Sequence, residues 1–167
     1  KSYWKVLWER IAGDEDLSYI DVEQMVSQDT DDLDEVHIYK EIWRELGITA
    51  VGWGYFPENT YLKEYEIDKE QAKATLIYNC SGQTVRYTMY MNDEDSSLGQ
   101  IKTDQLISEY QVETGEGISV SVKEYKKTDS DQNRYVAEFE FKDAQYQLMA
   151  SINKNEFENI IKNLIFL

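Results

Sequence analysis

Between Gln71 and Asn92 the hydrophobic and polar positions alternate with a period of two, interrupted once. Ala72, Ala74, Leu76, Tyr78 and Cys80 alternate with Lys73, Thr75, Ile77 and Asn79. After Ser81-Gly82 the alternation resumes, with Val85, Tyr87, Met89 and Met91 set against Thr84, Arg86, Thr88 and Tyr90. Successive side chains of a strand point to opposite faces, so this pattern predicts an antiparallel hairpin with one buried face, closed by a Ser-Gly turn. A second hairpin follows near the end of the chain. Tyr135, Ala137, Phe139 and Phe141 form one row, Lys142-Asp143-Ala144 turns the chain, and Tyr146, Leu148, Ala150 and Ile152 form the returning row.

Other strands are weaker but readable. Ile48 to Phe56 reads as a strand carrying Gly52 and Gly54 between aromatics, the mark of a bulge or of close backbone approach, and Pro57 ends it. Tyr61 to Ile67 is the next strand. Ile118, Val120 and Val122 alternate after the glycine-bearing turn Thr114-Gly115-Glu116-Gly117, while Ile101 to Tyr110 fits either a short helix or the approach to a strand.

Helical periodicity appears in two places around these strands. Val36, Tyr39, Ile42, Trp43 and Leu46 make one apolar stripe over 34–46, with acidic residues at its start and Gly47 as its stop. Asn153 caps a closing helix over 154–165, with Glu156 placed to return the hydrogen bond and Phe157, Ile160, Ile161, Leu164 and Ile165 as its apolar stripe. Near the start, Tyr3, Trp4, Leu7, Trp8 and Ile11 recur at helical spacing, and Leu17 to Val26 holds a short strand or turn. The expected fold is therefore α+β: a curved antiparallel sheet of about 7–8 strands with helices near 34–46 and 154–165 packed on it. With no repeat, linker or low-complexity segment, residues 1–167 form a single domain, of which 1–33 are an N-terminal extension or juxtamembrane segment.

Composition narrows the function classes. The chain has 33 acidic and 17 basic residues and a formal net charge of -16, a field that repels nucleic-acid phosphates and anionic membrane surfaces. No partner of the nucleic-acid class is expected. Thirteen Tyr, five Phe and four Trp suit a sheet-rich globule. The lone Cys80 cannot form an intramolecular disulfide and falls on the inward row, where a cysteine serves as a small apolar residue. No apolar run reaches 18 residues, so no helix in this sequence spans a bilayer. The sequence opens on Lys1 and not on Met, which leaves room for an upstream leader or anchor.

Candidate chemistry is sparse. Asp129, Asp131, Asn133 and Glu140 stand at positions one, three, five and twelve of a calcium loop, but Arg134 occupies the position that needs glycine. The strand alternation would also turn Glu140 away from the others. Asp93, Asp95 and Ser97 in the acidic run from Asn92 to Gly99 offer only a weak cation site. His37 is the only histidine, at the edge of its helix stripe, and there is no GxSxG, HExxH, CxxC or phosphate-cradling glycine loop. No metal, cofactor or catalytic residue is assigned. The aromatic excess is the remaining clue: Trp53, Tyr55 and Phe56 beside two glycines, and Tyr90 on the far side of the first hairpin, are the candidate ligand-binding residues. Their alternative role is as core between sheet and helices.

The runs VHIYKEIWRELGIT, GQTVRYTMYMNDEDSSLGQ and RYVAEFEFKDAQYQLMASINKNEFENIIKNLIF resemble the C-terminal domain of family 4367 of the domains of unknown function, found in Firmicutes and in many gut Clostridia. The resemblance extends from about Val36 to the end. It implies a membrane-anchored envelope protein arranged like an anti-sigma factor, with a transmembrane helix upstream of Lys1, this domain on the extracytoplasmic face, and Trp4 and Trp8 near the membrane. It supplies no catalytic residues. The expected function is a non-enzymatic sensor or interaction module that binds an envelope peptide, lipid, wall-derived ligand or protein partner. The alternatives are a carboxylate-dependent hydrolase of wall polysaccharide and a structural spacer.

Overall fold

The computed structural model describes residues 30–91 and 104–166, with side chains from Glu35 onward. The readings for Tyr3–Ile11, Leu17–Val26 and the acidic run 92–99 lie outside the described residues.

The chain enters through helix α1 (Thr30–Leu46), one turn longer at its start than the apolar stripe alone predicted. Asp31 and Asp32 fall in that added turn, where the positive end of the helix dipole favours acidic residues. Val36, Tyr39 and Ile42 are buried as the stripe requires. Gly47, in the left-handed region at φ 69, ends the helix by donating to the Trp43 carbonyl at 2.9 Å.

Beyond a short strand β1 (Gly52–Trp53) come β2 (Thr60–Asp68), β3 (Lys73–Cys80), β4 (Gln83–Tyr90), β5 (Gln105–Glu113), β6 (Ser119–Lys126), β7 (Arg134–Phe141) and β8 (Ala144–Ala150). These seven form one antiparallel sheet in the order β2-β3-β4-β8-β7-β6-β5. It is two meanders joined where β4 pairs with β8, with Tyr87 opposite Leu148. The sheet is open and does not close into a barrel. Both hairpins expected from the alternation are present. Ser81 and Gly82, at φ 50 and 87, close the first, and Lys142 and Asp143, at φ 47 and 67, close the second. Two consecutive left-handed residues match the right-handed twist of the paired strands. Of the ambiguous stretch Ile101 to Tyr110, the part from Gln105 onward is strand β5, and 101–103 lie outside the described residues.

Alternation assigns the faces. Ala74, Leu76, Tyr78, Val85, Tyr87, Met89, Ala137, Tyr146 and Leu148 are buried on the inner face. Helix α1 lies over the β2–β4 half of that face, where the Tyr78 hydroxyl donates to Glu35 at 2.7 Å. Helix α2 (Lys154–Lys162) lies over the β5–β7 half, with Phe157 against the Tyr135 ring, centroids 5.5 Å apart. A smaller cluster of Tyr125, Val136 and Met149 sits on the outer face.

Two sequence expectations are corrected. The closing helix stops at Lys162 and does not reach 165: Leu164 and Ile165 form strand β9 (Leu164–Ile165), paired antiparallel with β1. Both residues are buried as the stripe demanded, but in an extended backbone. The pairing satisfies backbone polar groups in a segment too buried to use water. Gly54 donates to the Asn163 carbonyl at 2.7 Å, and a Cβ at Gly54 would stand 2.6 Å from that oxygen, so this close approach requires glycine. Secondly, only Gly52–Trp53 of the expected Ile48–Phe56 strand is a strand. The rest of the segment crosses the inner face between the helices, held from below by the sheet. Tyr87 donates to the Val51 carbonyl at 2.5 Å and Tyr146 donates to the Thr49 carbonyl.

Candidate functional site

Hydroxyl-tipped tyrosines on the sheet fix the segment 48–53, and the chain then leaves the core at Tyr55. There it meets the Ser81-Gly82 turn, the end of β8 and the first turn of α2. The space between them is a cleft of about 480 Å³, within the range of small-ligand sites. Asn153 begins one wall. Its side-chain oxygen accepts from the N–H groups of Asn155 and Glu156 at 2.8 and 3.4 Å, which caps α2 as the sequence predicted. Glu156 does not return that bond. Its carboxylate accepts instead from the Tyr55 hydroxyl, at 3.0 and 2.8 Å to its two oxygens. That hydrogen bond holds the Tyr55 phenol above its ordinary pKa, so the hydroxyl keeps its proton and acts as a donor.

Cys80 lies in the cleft's inner wall. Its sulfur accepts from the Thr60 hydroxyl at 3.3 Å, and burial pushes the thiol up, so it stays protonated near neutral pH. A protonated, buried thiol is a poor nucleophile. The remaining lining is mixed: Pro57 and Ile152 supply apolar surface, and Glu58, two serines and the carboxamides of Gln83, Gln132 and Asn153 supply polar groups. The cleft thus presents two carboxylates, three carboxamides and a phenol beside its apolar surface, and no Lys or Arg lines it. Such a set recognises amine and hydroxyl donors.

The four residues singled out from the sequence do not form one site. Trp53 is 1% exposed in the core, stacked on Tyr78 with centroids 4.2 Å apart. Phe56 is half-buried and packs against Trp53. Tyr90 is buried on the outer face of β4, across the sheet from the other three. Only Tyr55 lines the cleft. The period-two rule places Tyr90 correctly on the face opposite Val85 and Met89, yet periodicity carries no information on which aromatics reach solvent. Glu58, Gln83, Gln132 and Glu156 were missed because they come from four separate turns and caps. The one legible signal was Glu156, three residues beyond a capping asparagine.

The calcium pattern is not assembled. Asn133 donates to Glu124 at 2.7 Å, and Glu140, far along β7, accepts from Gln145 at 2.7 Å. Among the described residues no group of three or more His, Cys, Asp or Glu side chains gathers as a metal site. His37 is half-buried on α1.

The family model described as a domain of unknown function, DUF4367, matches residues 51–164. The chain belongs to this family. The match spans every strand from β1 to β8 and the whole of α2; it begins at Val51, later than the Val36 at which the resemblance was drawn, and so leaves out α1. The cleft lies entirely within the family region. No match was found among curated proteins or among solved structures.

Proposed function

We propose that this domain is a non-catalytic binding module on the extracytoplasmic side of a membrane-anchored envelope protein, and that it takes its ligand in the Tyr55–Glu156 cleft. The observation that carries the reading is the cleft's donor and acceptor set. Two carboxylates and three carboxamides converge on one concave space, walled by a capped helix start and two tight turns, while its only thiol is protonated and buried. Elements pinned by the sheet pre-organise this space, which lowers the cost of binding. A ligand rich in amines and hydroxyls, such as a wall-derived muropeptide, matches that set better than an acyl chain does. The family membership and the acidic surface are compatible with an exposed envelope domain.

A thermal-shift screen of muropeptides and short amine-bearing peptides tests this reading, with Glu156→Gln and Tyr55→Phe as controls. A ligand that raises the melting temperature of the wild type and not of Glu156→Gln supports it. Ligands that stabilise all three proteins equally refute the site. Protease shaving of intact cells tests the location, and a domain protected until lysis would overturn it.

One observation favours a second reading, hydrolysis of wall glycan. Glu58 and Glu156 line the same cleft, and paired carboxylates are the minimum set for glycoside cleavage. Release of reducing ends from purified wall by the wild type, abolished in both Glu58→Gln and Glu156→Gln, would establish it over the binding reading.

A further inference from the structure

On the outer face of the sheet, behind the Ser81-Gly82 turn, a second concavity of about 390 Å³ has the opposite character. Strand register explains its composition. Arg86 of β4 stands opposite Met149 of β8, Met149 stands opposite Val136 of β7, and Arg134 lies two residues before Val136 on the same face. Arg134 in turn stands opposite Tyr125 of β6, and Lys127 follows Tyr125 by two positions. A period of two therefore delivers Arg86, Arg134 and Lys127 to one end of one face. All three line the concavity, with the Ser151 hydroxyl beside them and Met149 at its base, and no carboxylate lines it.

In a chain with 33 acidic and 17 basic residues, three cations around one hollow free of carboxylates need a reason. Arg134 is anchored: its Nη1 donates at 2.7 Å to Asp104, whose side chain is 8% exposed. That contact fixes the guanidinium and leaves its other N–H donors unused among the described residues. Arg86 and Lys127 are half-buried, and neither has an ion-pair partner among the described residues. Half-buried cations without counter-charges lose hydration that a bound anion would restore.

We propose that this concavity, which adjoins the Tyr55–Glu156 cleft and shares Gln83 and Ser151 with it, is an oxyanion site for a small soluble ligand bearing a phosphate or carboxylate group. Arg134, held on one side by Asp104, and Arg86 supply planar N–H donors that match oxyanion geometry, and Lys127 supplies a point charge. The net charge of -16 selects the size of the ligand. Local cations dominate within a Debye length of about 8 Å, whereas a nucleic acid or an anionic bilayer would meet the acidic surface beyond it.

Isothermal titration of the whole domain with glycerol 3-phosphate and, separately, with succinate tests the site. The comparison protein is Arg86→Gln/Lys127→Gln, which spares Arg134 and its bond to Asp104; circular dichroism and melting temperature confirm that the variant is folded. Binding of either probe by the wild type, weakened about tenfold or more in the double variant, supports the proposal, and the probe bound identifies the group. Retention of affinity in the charge-preserving variant Lys127→Arg adds support. Binding of neither probe at about 1 mM, or equal binding by wild type and double variant, overturns it. Binding only to vesicles rich in anionic lipid, with neither soluble probe bound, also overturns it.

Discussion

Replacing Phe157 by alanine tests how α2 is held on the sheet. Phe157 is fully buried in the middle of the helix's inner face, against the Tyr135 ring and beside the likewise buried Ile160 and Ile161. Truncation removes the ring's burial and leaves a void that the rigid sheet below cannot close, a change that costs about 3–5 kcal/mol in well-packed cores. For a domain whose total stability is of order 5–15 kcal/mol, that is a large share. At about 2–4 °C per kcal/mol for a chain of this size, the melting temperature should fall by about 6–20 °C. Urea unfolding followed by tryptophan fluorescence reads it directly, since Trp53 is buried and stacked on Tyr78. Leu164→Ala serves as the companion. It is 3% exposed in β9, so it should cost about 2–5 kcal/mol by the same mechanism although it lies beyond the helix. A loss below about 1 kcal/mol for Phe157→Ala, with an unchanged dependence on urea, would refute the docking of α2 described above.

Further outcomes are expected from the same packing. Gly54→Ala should lower stability by about 1–3 kcal/mol in urea unfolding, because its Cβ would stand 2.6 Å from the Asn163 carbonyl and would force β1 and β9 apart. Tyr87→Phe strands the buried Val51 carbonyl and should cost about 1–3 kcal/mol on the same assay, where a neutral result would mean the hydroxyl is dispensable. Alkaline pH should unfold the domain. Burial raises the phenols of Tyr39, Tyr78 and Tyr87 well above the ordinary 10.0, and burial together with the hydrogen bond to Glu124 pushes Tyr135 up to about 12. The unfolded chain ionises these groups first, so their contribution is intact below pH 10, declines above it and is gone for Tyr135 by about pH 12. Ultraviolet titration should show a late tyrosinate step coincident with loss of circular dichroism, and a smooth titration without unfolding would contradict it.

The sheet was legible in the sequence because each half-buried strand records its orientation in every second residue. Ala74–Leu76–Tyr78 and Tyr146–Leu148–Ala150 are read without reference to anything else in the chain. The helix stripe at Val36, Tyr39 and Ile42 is local in the same sense. What failed was non-local. Leu164 and Ile165 fit a helical stripe equally well, and only their pairing with Gly52–Trp53, over a hundred residues earlier, makes them a strand. Gly52 and Gly54 did signal a close backbone approach, though not which backbone approached. The cleft was the least legible part. Tyr55, Glu58, Gln83 and Glu156 are ordinary turn and cap residues in sequence, and they converge only once the sheet order is known. The aromatics drew attention first, and Trp53 and Tyr90 prove to be packed on opposite faces of the sheet.

The central claim is that the Tyr55–Glu156 cleft is where this domain meets its ligand. Nuclear magnetic resonance of the isotopically labelled domain titrated with a purified muropeptide tests it most directly. The account predicts saturable shifts confined to the amides of Tyr55, Ser81, Gln83, Asn153 and Glu156, and their loss in Glu156→Gln. Saturable shifts elsewhere on the sheet, with these five unmoved, would contradict it.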